Sequence, residues 1–480
     1  MEFMSKMETE APLIKPSWRL RPAERRGTLF FGDLLASIIA LFLALYFWTQ
    51  GNEWLNFSWV FLQERVPAWF YLMPVIWLLL LIESYDMRRS SARLESFKEI
   101  SLAAGVSLGL YLIIFFVSTP DSLPRRGVIL FIGFVYVLTL IWRFIFVGLF
   151  TAPQFMRRVI IVGAGKSGVQ LANILHGMWP PPFNTIGLVD DDPEKVGTEI
   201  YSFKVLGTNA DLFDLVREHQ VTDLIFSIMG DMDAAVFEKV LEAEERGIEV
   251  TTMPMVYEEL LGRVPIFLLK SDWVLRSFVD QAHVGGFYEL AKRLIDIIGG
   301  LVGAIALGLS FPFIGLAILL ETGAPIFYLQ SRLGKNGRLY NMIKYRSMVQ
   351  DAEADGIARP AAAHDVRATF IGRFLRMSHL DELPQVLNIL RGDMSLVGPR
   401  AERPELVGLL QEHIPFYRAR LFVKPGLTGW AQVNYGYAND FETNGVKLEY
   451  DLYYIKHRNL LLDFNIMIRT VGTVIGLRGR

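Results

Sequence analysis

Four long runs of apolar residues fill the first third of the chain, at positions 29–48, 66–82, 100–117 and 128–150. Each is long enough, or nearly so, to cross a hydrocarbon core about 30 Å thick as an α-helix. Lysine and arginine collect before the first run, between the second and third, and after the fourth. Because basic loops stay in the cytoplasm, the pattern predicts a four-helix transmembrane bundle with both ends on the cytoplasmic side.

We interpret this bundle as a plain membrane anchor. The first run has no small-residue cleavage site after a short apolar core, which favours a retained helix over a signal peptide. No charged pair inside the runs suggests a transport pathway. Arg143 lies near the end of its run, and we expect its side chain to reach the interface.

A strand, a glycine-rich turn and an amphipathic helix are predicted directly after the bundle, beginning at 158–162. The glycines of the turn are Gly163, Gly165 and Gly168. This order is typical of a βαβ unit that binds dinucleotides, and Asp190 ends a second strand at a suitable distance for a ribose contact. The pattern predicts a Rossmann-like α/β domain. It leaves two readings open: a nucleotide bound by the three glycines, or a structural or regulatory module.

A fifth apolar run, at 297–320, decides the topology of the remaining chain. Pro312 removes a hydrogen bond from a helix and bends it, and Ser310 can satisfy a freed carbonyl. Basic residues on both sides of the run suit the cytoplasmic face and anionic headgroups. We therefore predict a re-entrant helix, broken at Ser310 and Pro312, that enters and leaves by the same face. A kinked transmembrane span is the alternative.

The composition indicates the class of protein and excludes several kinds of catalytic and metal-binding site. With 480 residues, 52% of them hydrophobic, the chain is expected to be an integral membrane protein with soluble parts and about three domains. The absence of cysteine excludes thiol catalysis, disulfides and cysteine-ligated zinc. The seven histidines show no metal-binding spacing, so any metal is expected to be a hard ion with oxygen ligands.

The candidate catalytic residues are concentrated at 376–400. Asp381 and Glu382 stand shortly before Pro384, which favours the first turn of a helix. There the helix dipole keeps a carboxylate ionised and attracts phosphate. A carboxylate that attacks phosphorus also needs cations around the phosphates. The basic candidates are Lys344, Arg346, Arg376 and Arg400.

From about Lys292 onward, these residues resemble the bacterial sugar transferase family, the membrane-bound phosphoglycosyl transferases that load a sugar phosphate onto polyprenyl phosphate. Six blocks match in order: Lys292-Arg293-x-x-Asp296, Gln330-Ser-Arg332-x-Gly334, Ile343-Lys344-Tyr-Arg346-Ser-Met348, Leu380-Asp381-Glu382-Leu-Pro-Gln385, the segment from Gly392 to Arg400, and Lys424-Pro425-Gly426-Leu-Thr428-Gly429-Trp430-Ala-Gln432-Val433.

The whole chain is similar to the long form of this family, in which four spans and a Rossmann-like domain precede the catalytic part. The resemblance implies a mainly α-helical catalytic domain with a re-entrant membrane helix. The predicted domains are 1–152 for the bundle, 153–277 for the Rossmann-like domain and 278–480 for the catalytic domain.

The resemblance implies a two-step reaction. Asp381 would attack the β-phosphate of a UDP-hexose, release UMP and form a phosphosugar-aspartate, which polyprenyl phosphate then attacks. Glu382 would hold Mg²⁺ together with Asp381 or assist the acceptor, and these roles stay open. Lys344, Arg376 and Arg400 match family positions around the phosphates.

The family also implies a setting. The reaction would be the first membrane step of exopolysaccharide, capsule or O-antigen synthesis, at the cytoplasmic face of the bacterial inner membrane. Mg²⁺ is the expected cofactor, and UDP-hexose, polyprenyl phosphate and membrane lipids are the expected partners. The expected hexose is glucose or galactose. No nucleic acid is expected, and a homo-oligomer is left open.

Two departures from the family pattern are visible. Phe311 separates Ser310 from Pro312, where relatives commonly carry Ser directly before Pro, and the segment starting at Asn434 replaces a shorter Gly-Arg sequence. That segment is a candidate for sugar selection. Two other functions stay open: a tethered nucleotide-sugar oxidoreductase or dehydratase, which lacks a Tyr-x-x-x-Lys pair in the Rossmann region, and a non-enzymatic polysaccharide assembly scaffold.

Overall fold

The structure, a computed structural model, describes residues 20, 22–50, 57–85, 93–117, 124–150, 156–179, 181–227, 234–269, 285–349, 367–436 and 440–475. They form two compact units, one ending at Leu260 and the other beginning at Leu261. The described chain is mostly helical, with one six-stranded sheet and two two-stranded sheets. Four of its helices are long and apolar enough to cross a membrane, so the chain is a membrane protein.

The first unit opens with a group of apolar helices. They are α1 Pro22–Thr49, α2 Trp59–Glu64, α3 Met73–Leu80, α4 Arg93–Val117 and α5 Arg125–Phe150. Of these, α1, α4 and α5 are three of the four helices long enough to span. Their shared apolar core includes Leu45, Trp77 and Phe131, all at most 2% exposed.

The second predicted span, at 66–82, is two short helical segments in the structure and not one long helix. A 3-10 helix of five residues, Ala68–Leu72, leads into the eight residues of α3. Together they rise about 22 Å, short of a hydrocarbon core of about 30 Å. Pro67 precedes the 3-10 helix and Pro74 lies in the first turn of α3. Because proline lacks an N–H donor, it starts a helix more readily than it continues one.

An ion pair lies inside this helix group. Arg143 of α5 and Asp33 of α1 are 1% and 0% exposed, and their Nη2 and Oδ2 atoms are 2.7 Å apart. Arg143 also donates to the carbonyl and the hydroxyl of Ser84, at 3.1 and 2.8 Å. The expectation that Arg143 reaches the interface is therefore wrong. Its guanidinium turns inward, where it satisfies a main-chain carbonyl just beyond the short helix α3.

The rest of the first unit is built around the six-stranded sheet. Its strands are β1 Arg158–Val162, β2 Asn184–Val189, β3 Glu199–Ile200, β4 Phe203–Gly207, β5 Asp223–Phe226 and β6 Glu249–Thr252, and its helices are α6 Lys166–His176, α7 Leu212–His219, α8 Ala234–Glu245 and α9 Met253–Leu261. The strand order is β3-β4-β2-β1-β5-β6. All neighbours are parallel except β3 and β4. The predicted strand, turn and helix at 158–176 are present.

Two glycines explain the tight turn after β1. Gly163 has φ of +103°, a conformation that glycine adopts without a steric penalty. A Cβ on Gly168 would lie 1.9 Å from the Gly163 carbonyl oxygen. Helix α6 therefore packs against the turn at a distance that only glycine permits.

The main elements of the second unit are one long helix and the shorter helices and strands that follow it. They are α10 Gly286–Thr322, β7 Phe327–Leu333, β8 Leu339–Tyr345, α11 Phe370–Met377, the 3-10 helix Leu380–Gln385, α12 Val386–Arg391, β9 Ser395–Val397, α13 Pro404–His413, the 3-10 helix Tyr417–Phe422, β10 Gly426–Thr428, α14 Trp430–Asn434, α15 Phe441–His457 and α16 Leu460–Ile475. Strands β7 and β8 form an antiparallel hairpin, whereas β9 and β10 pair in parallel.

Helix α10 is continuous. Its 37 residues would extend about 55 Å if straight, and the helix runs through Pro312 without interruption. The predicted break at Ser310 and Pro312 therefore does not end the helix, and a proline inside a helix bends it. The Ser310 hydroxyl instead donates to carbonyls one turn earlier in the helix. Leu307 and Ile318, on either side of the proline, pack into the same apolar cluster with Leu375 of α11.

Polar contacts tie both ends of α10 to the second unit. Near its start, Lys292 lies 2.9 Å from Asp463 of α16. At its end, the Glu321 carboxylate accepts the backbone N–H groups of Phe370 and Ile371, at 2.6 and 3.1 Å. Glu321 thereby caps the first turn of α11, where orphan donors and the helix dipole favour a negative charge.

Candidate active site

Asp381 and Glu382 lie in the 3-10 helix that runs directly into α12, and each is 9% exposed. His379 opens this turn with φ of +57°, a left-handed conformation that is uncommon for a residue with a Cβ. The sharp change of direction after α11 places the two carboxylates side by side on a buried turn.

Glu382 is held by two cations. Its Oε1 atom is 2.7 Å from Lys344 Nζ and 2.6 Å from Arg400 Nη2. Burial alone would raise the pKa of Glu382, but the charges of Arg400 and Lys344 outweigh it and hold the pKa well below its usual range. Glu382 is therefore ionised at neutral pH.

Asp381 has the opposite electrostatics. Burial, and then the adjacent Glu382 charge, raise the pKa of Asp381 to about 6 against the opposing charges of nearby basic groups. Within the residues that the structure describes, its carboxylate accepts no hydrogen bond. Asp381 is thus an ionised carboxylate above pH 6 whose oxygens are uncommitted, as a nucleophile requires.

Asn388 brings Lys344 to Glu382. It is fully buried in α12, and its Oδ1 atom accepts the Ile343 N–H of β8 at 3.0 Å. Its Nδ2 atom donates to the Asn341 carbonyl at 2.9 Å. A single side chain therefore fixes the helix behind the carboxylates to the strand that carries Lys344. Sequence reasoning missed Asn388; the available signal was one amide within an apolar helical run.

Arg400 follows β9, whose pairing with β10 fixes its position. A Cβ on Gly398 would lie 2.4 Å from the Lys424 carbonyl oxygen, so the two backbones approach as only glycine allows. The Arg400 side chain remains 41% exposed. It is therefore both paired with Glu382 and open to an incoming anion.

The other two predicted cations lie at different places. Arg376 is in the last turn of α11, and its charge opposes the rise in the pKa of Asp381. Arg346 is directed elsewhere: its guanidinium donates to the carbonyls of Gly323 and Ala324, just after α10. The structure therefore gives Arg346 a role at the end of the long helix and not beside the carboxylates.

A small cavity lies beside the ionic cluster. Its walls include Arg332, Met342, Lys344, Met394 and Arg400. Arg332 was recognised in a family block but was not assigned a role by sequence. The cavity places apolar side chains next to the cations, where a low local dielectric strengthens their attraction for phosphate.

The acidic residue of the predicted nucleotide site, Asp190, bonds to the glycine turn itself. The Asp190 carboxylate accepts the Ala164 N–H of the glycine turn at 2.6 Å. It also accepts the Asp192 N–H at 3.1 Å and lies 3.0 Å from Lys195 Nζ. The carboxylate that a ribose would need is committed to three donors.

The donor set fits magnesium only in part. No group of three or more His, Asp or Glu side chains among the described residues is arranged to hold a metal. Glu382 is committed to Lys344 and Arg400, which leaves Asp381 as the available carboxylate. Mg²⁺ often binds through one or two carboxylates together with substrate phosphates, and Asp381 is the member of this pair that could serve as a protein ligand.

Comparison with protein families gives two matches. The profile of the bacterial sugar transferase family matches residues 287–476. The profile described as a CoA-binding domain matches residues 80–254.

Three similar proteins have assigned activities. The first is 39% identical over 48% of this chain and 52% of its own length: the UDP-N-acetylgalactosamine-undecaprenyl-phosphate N-acetylgalactosaminephosphotransferase of Aeromonas hydrophila. The second is 30% identical over 67% of both chains: the UDP-glucose:undecaprenyl-phosphate glucose-1-phosphate transferase of Xanthomonas campestris pv. campestris. The third is 31% identical over 66% of this chain and 58% of its own length: the undecaprenyl-phosphate glucose phosphotransferase of Komagataeibacter xylinus. The chain thus spans between about half and two thirds of these relatives.

Proposed function

This chain belongs to the bacterial sugar transferase family, and on that premise we propose that it transfers hexose-1-phosphate from a UDP-hexose to polyprenyl phosphate, with release of UMP. One observation carries the proposal. Asp381, buried beside two cations, keeps an uncommitted carboxylate whose pKa of about 6 leaves it ionised at neutral pH. The similar proteins act on different UDP-sugars by name, so the sugar is the most variable part of the proposal.

The reaction takes two displacements at phosphorus. A carboxylate oxygen of Asp381 bonds to the β-phosphorus of the UDP-hexose, and the bond to the bridging oxygen breaks, so that UMP leaves with the electron pair. A phosphate oxygen of polyprenyl phosphate then bonds to the same phosphorus. The bond to Asp381 breaks, which restores the free carboxylate.

Lys344 and Arg400 supply the positive charge for these steps. Both contact Glu382. The donor's diphosphate brings more negative charge than Glu382 and presents several oxygens to the exposed Arg400 guanidinium. Glu382 therefore keeps the two cations in place until phosphate arrives. Mg²⁺, held through Asp381 and the substrate, would offset part of the diphosphate charge.

The contacts of α10 favour one topology. Its first turns bind α16 through Asp463, and its last turn caps α11 through Glu321. Both partners belong to the second unit, so a helix with its ends on opposite faces of the membrane would require that unit to reach both faces. We therefore infer that both ends of α10 lie on the cytoplasmic face, where UDP-sugars are made. Its exposed apolar residues, such as Leu309 and Phe313 at 73% and 79%, would contact lipid.

The sheet of the first unit completes the proposed architecture as a Rossmann-like module. Its parallel strands and glycine turn support that fold. The three donors bound to Asp190 support a structural or assembly role over nucleotide binding. The apolar helices before it would anchor the chain in the inner membrane.

Transfer of label tests this function directly. The full-length protein in lipid vesicles, given polyprenyl phosphate and UDP-hexoses labelled in the sugar and β-phosphate, should convert label to an organic-extractable product and release UMP. Asp381→Asn should abolish turnover while thermal unfolding stays close to that of the unmodified protein, because the amide keeps the shape and loses the nucleophile. A phosphosugar adduct trapped on any other residue would refute the assignment.

A further inference from the structure

A second group of buried charges lies behind Arg400. Arg420, in the 3-10 helix Tyr417–Phe422, is 3% exposed, and Arg332 of β7 is 16% exposed. Arg420 Nη2 donates to the Arg400 carbonyl at 3.1 Å, and Arg332 Nη1 donates to the Ala401 carbonyl at 3.0 Å. Two guanidinium groups therefore hold two consecutive carbonyls of the loop that presents Arg400. Neither has a part in the chemistry described above.

Carboxylates fix these two arginines in turn. Arg420 lies 2.7 Å from Asp451 and 3.2 Å from Glu402. Glu402 also lies 2.6 Å from Lys447 and 3.9 Å from Arg332. Burial alone would raise the pKa of Glu402, but the Lys447 and Arg420 charges outweigh it and hold the pKa at about 2. Glu402 therefore remains charged at neutral pH. Breaking such a buried network of charges costs stability.

The Arg400 side chain is partly exposed, whereas its backbone is bound by a buried residue. Its guanidinium extends to Glu382 and is 41% exposed, whereas its carbonyl is bound by a buried arginine. A guanidinium grips phosphate through two parallel hydrogen bonds only when its plane is correctly placed. A fixed backbone below a long side chain reduces the number of placements that the side chain samples.

We propose that Arg332 and Arg420 are positioning residues for the transfer reaction, which hold the Arg400 loop so that the Arg400 guanidinium meets the phosphates of a nucleoside diphosphate sugar. Glu402 is their shared counter-ion. The inference rests on the proposed function, because it assigns Arg400 to the donor's phosphates. Both residues act through the Arg400 loop, whose carbonyls they bind.

The variant Arg420→Lys tests this role. Lysine keeps the positive charge beside Asp451 and Glu402, but one ammonium group lacks the fork that also reaches the Arg400 carbonyl. We expect a folded protein whose kcat/KM for the UDP-hexose falls roughly tenfold to a hundredfold, the range for a small misplacement of a catalytic group. The matched control is Arg263→Lys, since Arg263 pairs with the buried Glu449 of α15 at 3.5 Å. The control should stay within about twofold of the unmodified protein.

The same change in an Arg400→Lys background separates positioning from general stability. With no guanidinium left to place, Arg420→Lys should cost less than about twofold further. An equal loss in both backgrounds would overturn the proposal, as would an unchanged kcat/KM in folded Arg420→Lys. If Arg420→Lys does not fold, Arg332→Lys is compared in the same two backgrounds. It removes the bond to the Ala401 carbonyl, and Arg332 is less buried than Arg420, so its replacement disturbs the fold less.

A binding measurement keeps this inference distinct from the proposed function. Calorimetry with UDP requires no turnover. Arg420→Lys should weaken UDP binding in the unmodified background and leave it unchanged in the Arg400→Lys background. That result, in a protein that makes no lipid-linked product, would support the positioning role and refute the transfer activity. Equal weakening in both backgrounds would refute the positioning role alone.

Discussion

Asp381 and Glu382 show how one turn of backbone gives two adjacent carboxylates different tasks. Both are buried equally, yet Lys344 and Arg400 bond to Glu382 and not to its neighbour. Glu382 therefore stays ionised, and its charge helps to raise the pKa of Asp381 to about 6. As the proposed nucleophile, Asp381 is more basic than an ordinary aspartate, which favours attack, and it is still mostly deprotonated at pH 7.

This difference predicts the acid limb of the pH profile. Because the attacking form of Asp381 is the deprotonated one, kcat/KM should be level above pH 6 and fall about tenfold per unit below it. The check is to measure UMP release between about pH 4.5 and 8 at constant ionic strength. A level profile down to pH 5 in a protein that remains folded would contradict it.

Glu382→Gln provides the paired measurement. The substitution removes the neighbouring negative charge that helps to raise the pKa of Asp381. Whatever activity remains should therefore show its acid limb at a lower pH than the unmodified protein. A limb that stays in place would mean that another group controls the profile.

At the scale of elements, the apolar helices before residue 151 depend on one buried ion pair. Replacing Arg143 by Met removes the ion-pair partner of the buried Asp33 and leaves the Ser84 carbonyl without its donor. Loss of one partner from a buried pair typically costs about 3–5 kcal/mol. We expect a clearly lower thermal unfolding midpoint in detergent micelles. The double variant Asp33→Leu with Arg143→Met should recover part of the loss, and a midpoint unchanged by Arg143→Met would show that the pair is not stabilising.

The elements also show what the sequence could predict. The strand, glycine turn and helix at 158–176 were predicted because buried runs and glycines leave a local signature. The carboxylate pair was predicted on other local grounds: Pro384 favours a helix start, and the surrounding block resembles the bacterial sugar transferase family. The placement of Arg143 was not, because its partner Asp33 is 110 positions away. Asn388 and Arg420 were missed on the same grounds, since their partners lie on elements that meet only in the folded unit.

The whole molecule makes a topological prediction. If both ends of α10 face the cytoplasm, single cysteines at Glu289 and Arg338 should both react with a membrane-impermeant label from the cytoplasmic side. Both positions are exposed, Glu289 with 60% of its side chain accessible, and the chain has no cysteine of its own. Inverted and right-side-out vesicles provide the two sides. Labelling of Arg338→Cys only from the periplasmic side would establish a true span.

The two-ended attachment of α10 also bears on how inhibitors of this protein should be sought. Glu321 caps the helix that leads to the carboxylate pair, and Asp296 accepts the hydroxyl of Ser395 and the N–H of Leu396 in β9, the strand that leads to Arg400. Cutting α10 away to obtain a water-soluble fragment would remove both supports. A compound screen run on such a fragment would examine a different active site, so screening belongs in nanodiscs or liposomes.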